Sequence, residues 1–213
     1  MNVKLQAQTS SDGPVEVLNS VSGRMIEEIK LAQDYFDQDP ERFYNQVDLI
    51  LTPVIDFTNF SRNVMGNYGS SKTYRGLKTT AEKKQFIDRI RRFSMTFKQG
   101  LIHTYAKGLL GFGGDEIKVE PLDSVQQDNM VARKSVDVLQ LIDSDNGEPY
   151  EVHYKMRRDK TGAWKIRNVI IGSINLGKVY RQQFASAVLM YDGDIDKVID
   201  TWSVAPAELE EQK

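Results

Sequence analysis

The chain has no cysteine among its 213 residues, which excludes disulfides, thiolate nucleophiles and cysteine metal sites. It has only two histidines, His103 and His153. His153 is out of phase with Val152 and Tyr154 and so reads as solvent-facing. His103 adjoins Ile102 on a helical stretch, and no histidine metal centre is expected from the pair. A run of about 18 apolar residues is missing, so no segment is expected to span a membrane. There is no Gly-x-Ser-x-Gly elbow and no phosphate-binding P-loop. The glycine-rich stretch 108–114 precedes a strand instead of following one, which makes it a helix stop and not a dinucleotide loop. Asp192-Gly193-Asp194 begins like a calcium loop, but Lys197 stands where that loop needs glycine and Ser203 where it needs glutamate. The opening MNVKLQAQTSSDGP lacks an apolar core, so no secretory leader is expected in it.

What is present is a chain that is 40% hydrophobic, enough for one domain with a sizeable core. Residues 1–13 read as a disordered lead, 14–205 as the domain and 206–213 as an acidic tail. Within the domain, a helical part (14–114) precedes a sheet part (115–176), and helices close it (177–205). Pro14 to Gln38 carries a helical stripe through Leu18, Val21, Met25 and Ile29. A second helix opens at Asp39-Pro40, and Pro53 predicts a kink or break in it. Residues 66–76 read as a loop. From an N-cap at Thr80, a long helix follows the stripe Phe86, Ile90, Phe93, Phe97, Leu101 and Tyr105, about 45 Å if unbroken to Leu109. Ile87, Met95 and Ile102 are expected to widen its apolar face, with Gly100 and Gly108 as weak points.

Four strands are then expected: Glu116–Leu122, Met130–Ile142, Tyr150–Arg158 and Ala163–Leu176. Short turns, including Asp143–Gly147 and Asp159–Gly162, make the pairing antiparallel. The fold class is therefore α+β, an antiparallel sheet of about four strands against long amphipathic helices. The fourth strand is unusual, because Val169, Ile170 and Ile171 make it apolar on both faces, which requires cover on both. Trp164, Ile166 and Ile170 alternate onto the face opposite Val169 and Ile171.

Charge is segregated. Residues 78–107 hold eight Lys and Arg against two acids, while 192–211 hold seven acids against Lys197, local charges of +6 and −6. These are solvated faces, or a basic docking surface at Lys83, Lys84, Arg91 and Arg92 for an acidic protein or anionic lipid. Phe86, Phe93 and Phe97 share the apolar stripe, so they face the core and do not stack on bases; nucleic acid is not an expected partner. No catalytic constellation stands out. An isomerase-like enzyme would need Asp137 as a buried base, yet its phase between Val136 and Val138 points to solvent. A solid-cored, ligand-free protein-interaction module is the other alternative.

The stretch YRGLKTTAEKKQFIDRIRRFSMTFKQGLIHTYAKGLLGF, followed by strands and then GAWKIRNVIIGSINLGKVYRQQFASAV, resembles the MlaC-type, toluene-tolerance family. The Thr80–Phe86 onset, Gly162-Ala163-Trp164 and Ile171-Gly172-x-Ile174 carry the resemblance most clearly. The resemblance implies a periplasmic, non-enzymatic phospholipid carrier of the Mla ABC transport system, which maintains outer-membrane lipid asymmetry. It would need no cofactor beyond its lipid cargo. Its implied partners are an inner-membrane ABC transporter complex and an outer-membrane lipoprotein complex, with a monomer as the simplest shuttle. Acyl chains would lie in an apolar cavity lined from the sheet by Val152, Tyr154, Val169, Ile171 and Ile174. Tyr105, Leu109, Phe112, Tyr180 and Phe184 would close it from the helices.

Overall fold

The computed structural model describes residues 12–110, 117–143 and 149–205. The sequence periodicities translate into an α+β fold. Helix α1 spans Pro14–Ala32, with Pro14 at its first position. It stops at Ala32, six residues short of the expected end, and turns follow to Asp39. Asp39 caps α2 (Pro40–Leu51) by accepting from the Arg42 N–H. Pro53 breaks the helix outright. After it the chain runs beside the sheet, where the Ile166 N–H donates to Val54 O (2.8 Å) and the Asp56 N–H to Ile166 O (2.9 Å). Asp56 then caps α3 (Phe57–Val64).

The expected loop at 66–76 is instead a 3-10 turn, Gly66–Gly69, and a short helix α4, Ser71–Gly76, capped by Ser70. Helix α5 (Thr80–Leu109) runs 30 residues without interruption. Its N-cap is Thr79, one residue earlier than expected, in a reciprocal capping box with Glu82. Gly100 does not weaken it. The glycine makes room for Val204, whose Cγ2 would lie 2.4 Å from any Cβ built there.

Strand β1 is Ile117–Val119 and β2 is Val136–Ile142. Between them lies an unexpected helix α6, Ser124–Val131, capped by Asp123. It takes up Met130 and Val131, which the sequence pattern places in a strand. Strands β3 (Tyr150–Arg158) and β4 (Trp164–Ile171) follow as expected. The fourth run then turns at Gly172, with φ +54°, into a two-residue β5, Ile174–Asn175. The result is one antiparallel sheet of five strands in sequential order. Helices α7 (Leu176–Met190) and α8 (Ile195–Asp200) close the chain. Asp194 caps α8, the role that explains its aspartate-rich turn.

Candidate functional site

Strand register decides which side chains share a face. Val136, Val138 and Gln140 of β2 lie opposite Met156, Tyr154 and Val152 of β3. On β4, Ile171 and Val169 lie opposite Val152 and Tyr154, but Met156 lies opposite Ile166, so Arg167 is an extra residue. This β-bulge resets the alternation. Trp164 and Ile166, both 2% exposed, therefore share the inner face with Val169 and Ile171, against the alternation read from sequence. Of the apolar residues on β4, Ile170 alone keeps the other phase. The expected strand apolar on both faces is thus a one-sided strand with a bulge. Its outer face carries Asp137 on β2, whose carboxylate accepts from Lys155 (2.5 Å) and meets His153 Nδ1 at 3.3 Å. That places Asp137 in an ion-paired cluster away from the interior.

The interior holds three apolar clusters, not one continuous core, and the inner face of the sheet meets two of them. One joins α3, α5, α7 and α8 and contains Phe93, Phe97, Tyr180 and Phe184. A second joins the first half of α1 to Val136, Val138, Met156, Trp164 and Ile166. A third joins the second half of α1 to α2 and the far end of α5, through Ile29, Phe43 and Ile102. Small domains usually have a single contiguous core, so the division is informative. Helix α5 packs on α2, α3 and α8 and not closely on the sheet.

The ten residues expected to line a cavity are distributed around this division. Tyr180 and Phe184 are fully buried in the first cluster, with Tyr105, Val169, Ile171 and Ile174 packed against it. Tyr154 packs on the second cluster, and Val169 touches both. Leu109 packs on the third. Val152 is only 5% exposed yet belongs to none of the three. Phe112 lies outside the described residues. Val152 and its cross-strand partners Gln140 and Ile171 thus mark a seam between the first cluster, on which Ile171 packs, and the second, on which Tyr154 packs.

Polar side chains enter that seam, and sequence reasoning missed two of them. Gln140, 3% exposed, donates to Ser22 Oγ of α1 (2.6 Å) and accepts at Oε1 from the Tyr154 hydroxyl (2.8 Å). Burial pushes the Tyr154 phenol up to about 12, so it remains a neutral donor. The available signal was Gln140 itself, a polar residue in phase with Val136 and Val138 on a buried strand. At the α5–α7 joint, the Tyr105 and Tyr180 hydroxyls lie 2.7 Å apart, and Tyr180 donates to Ala205 O (3.1 Å). Burial, with Tyr105 beside it, also raises the Tyr180 phenol. Thr104 Oγ1 donates to Val204 O, so residues 202–205 form a strap across this joint.

The basic and acidic segments largely meet each other. Arg89 and Arg92 of α5 clamp Asp196 of α8 at 2.5 and 2.8 Å, and Arg92 also pairs with Asp200. Arg92 is therefore committed within the fold. Lys84 and Arg91 are exposed, and Lys83 is partly so. Arg91 borders an open cleft of about 630 Å³ between the start of α3 and the middle of α5. Ile87 and Met95, expected in the core, line this cleft and are each 55% exposed.

Comparison with known proteins places this architecture. The family described as MlaC protein matches residues 19–204. The chain belongs to the MlaC family. Its similarity extends to the toluene tolerance protein ttg2D of Pseudomonas putida, at 31% identity over 190 residues, covering 89% of this chain and 80% of that protein. Among solved structures, it resembles the phospholipid-binding protein from Ralstonia solanacearum, determined in complex with a phospholipid. The TM-score is 0.65 at 20% identity, covering 89% of this chain and 94% of that one. This MlaC-family chain thus shares the α+β fold of that structure, and the resemblance noted in the sequence stands.

Proposed function

We propose that the protein is a periplasmic phospholipid carrier whose acyl chains lie along the seam beneath Val152, Gln140 and Ile171. The observation that carries the reading is the division of the interior into separate apolar clusters, two of which meet the inner face of the sheet on either side of Val152. Chains inserted there separate clusters that are already distinct, so they break less packing than they would in a single dense core. Each buried methylene contributes about 0.8 kcal/mol, and a long acyl chain roughly 10 kcal/mol before the costs of binding. Tyr105, Leu109, Tyr154, Val169, Ile174, Tyr180 and Phe184 form the walls in this reading, and Phe112 belongs to the same set. Membership of the MlaC family and the fold shared with the Ralstonia phospholipid-binding protein support it.

Transfer would be passive, between an outer-membrane lipoprotein complex and an inner-membrane ABC transporter, with no chemistry on the carrier. Because Arg92 is held by α8, Lys83 and Lys84 are the available docking cations, joined by Arg91, which is exposed and, among the described residues, paired only with Asp88 one turn away (3.1 Å). Reversing those three to Glu should abolish association with the membrane complexes without loosening α8.

Native mass spectrometry of the purified protein, followed by organic extraction, tests the central point. Adducts at phospholipid masses are expected, and both Val152→Asp and the space-filling Val152→Phe should reduce them. The second variant keeps the residue apolar in case the first fails to fold. If the wild-type protein is ligand-free as purified and takes no lipid from vesicles, the carrier reading falls.

A further inference from the structure

A second concavity lies outside the seam and has a different chemistry. It measures about 260 Å³ and sits where α3, the β4 bulge, β5 and the first turn of α7 converge. Arg167, Lys178 and Arg181 line it together with Asn63, Asn168 and Asn175, and no acid does. We propose that this pocket binds a phosphate oxyanion. The proposal does not depend on the carrier reading; the phosphate can belong to a lipid head group or to free phosphate.

Three features converge on that ligand. First, charge is left over. Arg167 meets Asp56 at 3.2 Å, but among the described residues neither Lys178 nor Arg181 is in an ion pair. Two positive charges beside one concavity match a phosphate better than a neutral group. Second, the donors are held in place. Arg181 Nε donates to Asn63 O (2.7 Å), which fixes the guanidinium and leaves its Nη groups for a ligand. A planar guanidinium so held suits bidentate contact with phosphate oxygens.

Third, the floor is ordered by an amide network. Asn168 Oδ1 accepts from the Gly177 N–H (2.9 Å), and Asn175 Oδ1 accepts from Asn168 Nδ2 and the Lys178 N–H. A Cβ at Gly177 would come within 2.6 Å of Asn168 Oδ1, so a larger residue there would displace that amide. The bulge brings Arg167 to this site as the one residue of β4 without a ladder partner, and bulges commonly re-aim a side chain in this way. Phe60 joins the pocket to the aromatic cluster of α3, α5 and α7. A head group seated here would thus lie beside apolar surface.

The test is amide NMR on the full chain after lipid removal, with two probes. Titration with inorganic phosphate, against chloride at matched ionic strength, is expected to shift the Gly177, Lys178 and Asn168 resonances. Loading with phosphatidylglycerol from vesicles is the second arm. Shifts with phosphate alone identify a site open to the free anion, and shifts only on lipid loading identify a head-group site. Lys178 and Arg181 are surface residues, so K178E/R181E should fold normally and weaken the response by about tenfold or more. Absence of shifts in both arms, or equal shifts in the double variant, overturns the proposal. The extraction experiment reports on acyl-chain binding separately, so either idea can fail alone.

Discussion

Deleting Arg167 would isolate what the β4 bulge does. With that residue removed, Trp164, Ile166, Val169 and Ile171 fall at strictly alternate positions, and the pairs Met156–Ile166 and Tyr154–Val169 are retained. No core side chain changes face. The loss is the contact between Arg167 and Asp56, 3.2 Å apart with side chains 26% and 15% exposed. The pair lacks hydrogen-bond geometry, and an ion pair of this kind contributes about 1 kcal/mol or less. For a chain of this size, each kcal/mol moves Tm by about 2–4 °C, so a fall of no more than about 4 °C is expected in a circular-dichroism melt. Deletion of Lys165 is the contrasting case. It leaves the bulge but rotates Trp164, 2% exposed, onto the outer face. Losing a buried tryptophan from a core costs about 3–5 kcal/mol, and a red shift in tryptophan emission should accompany it. If the Arg167 deletion destabilises as much as the Lys165 deletion, or shifts the emission equally, the register argument is wrong.

Other outcomes follow from particular contacts. Gly100→Leu should displace the 202–205 strap, because even a Cβ would overlap Val204; faster amide exchange at Trp202 and Val204 is the readout, and unchanged exchange would refute the close approach. Asp196 is held below its ordinary value chiefly by its hydrogen bond to Arg89. Because the folded value is depressed, its stabilisation is complete above the ordinary carboxylate value of about 3.9 and is lost as pH falls through the lower folded value. Asp196→Asn should therefore flatten the acid limb of the stability curve. Tyr154, pushed up to about 12, favours the fold in its neutral form; that contribution is lost as pH rises from about 10 through 12, and Tyr154→Phe should remove this alkaline dependence in melting experiments.

Much of the architecture was legible because amphipathic period is a local property. The stripe from Phe86 to Tyr105 located α5, and Pro53 located the end of the second helix, since a residue without an N–H cannot extend it. Helix α6 escaped because SVQQDNMV has no apolar stripe, and its cap at Asp123 is its only strong local signal. The bulge escaped for a different reason. Nothing in Ile166-Arg167-Asn168-Val169 announces an unpaired residue, and only the register with β3 reveals it. The seam was half visible. Apolar positions such as Ile171 and Tyr180 could be chosen by phase, but the division of the interior into three clusters depends on how α1 packs on the sheet and α5 on the other helices. Likewise, the charge blocks of +6 and −6 were plain in the sequence, whereas the clamp of Arg89 and Arg92 on Asp196 joins residues over 100 positions apart.

The order of the strands has a consequence for how the protein behaves in company. Its outermost strands are its shortest, three residues in β1 and two in β5; β5 covers only Ile170 and Ile171 of β4, and the segment after Pro53 covers β4 at Ile166. A brief edge is a poor template for another chain, so recruitment of a second copy by strand addition finds little to grip. Every sheet pairing also joins neighbours in sequence, so the sheet can assemble without waiting for distant segments to meet. Helices can therefore loosen around an apolar interior while the sheet keeps its own strand pairings.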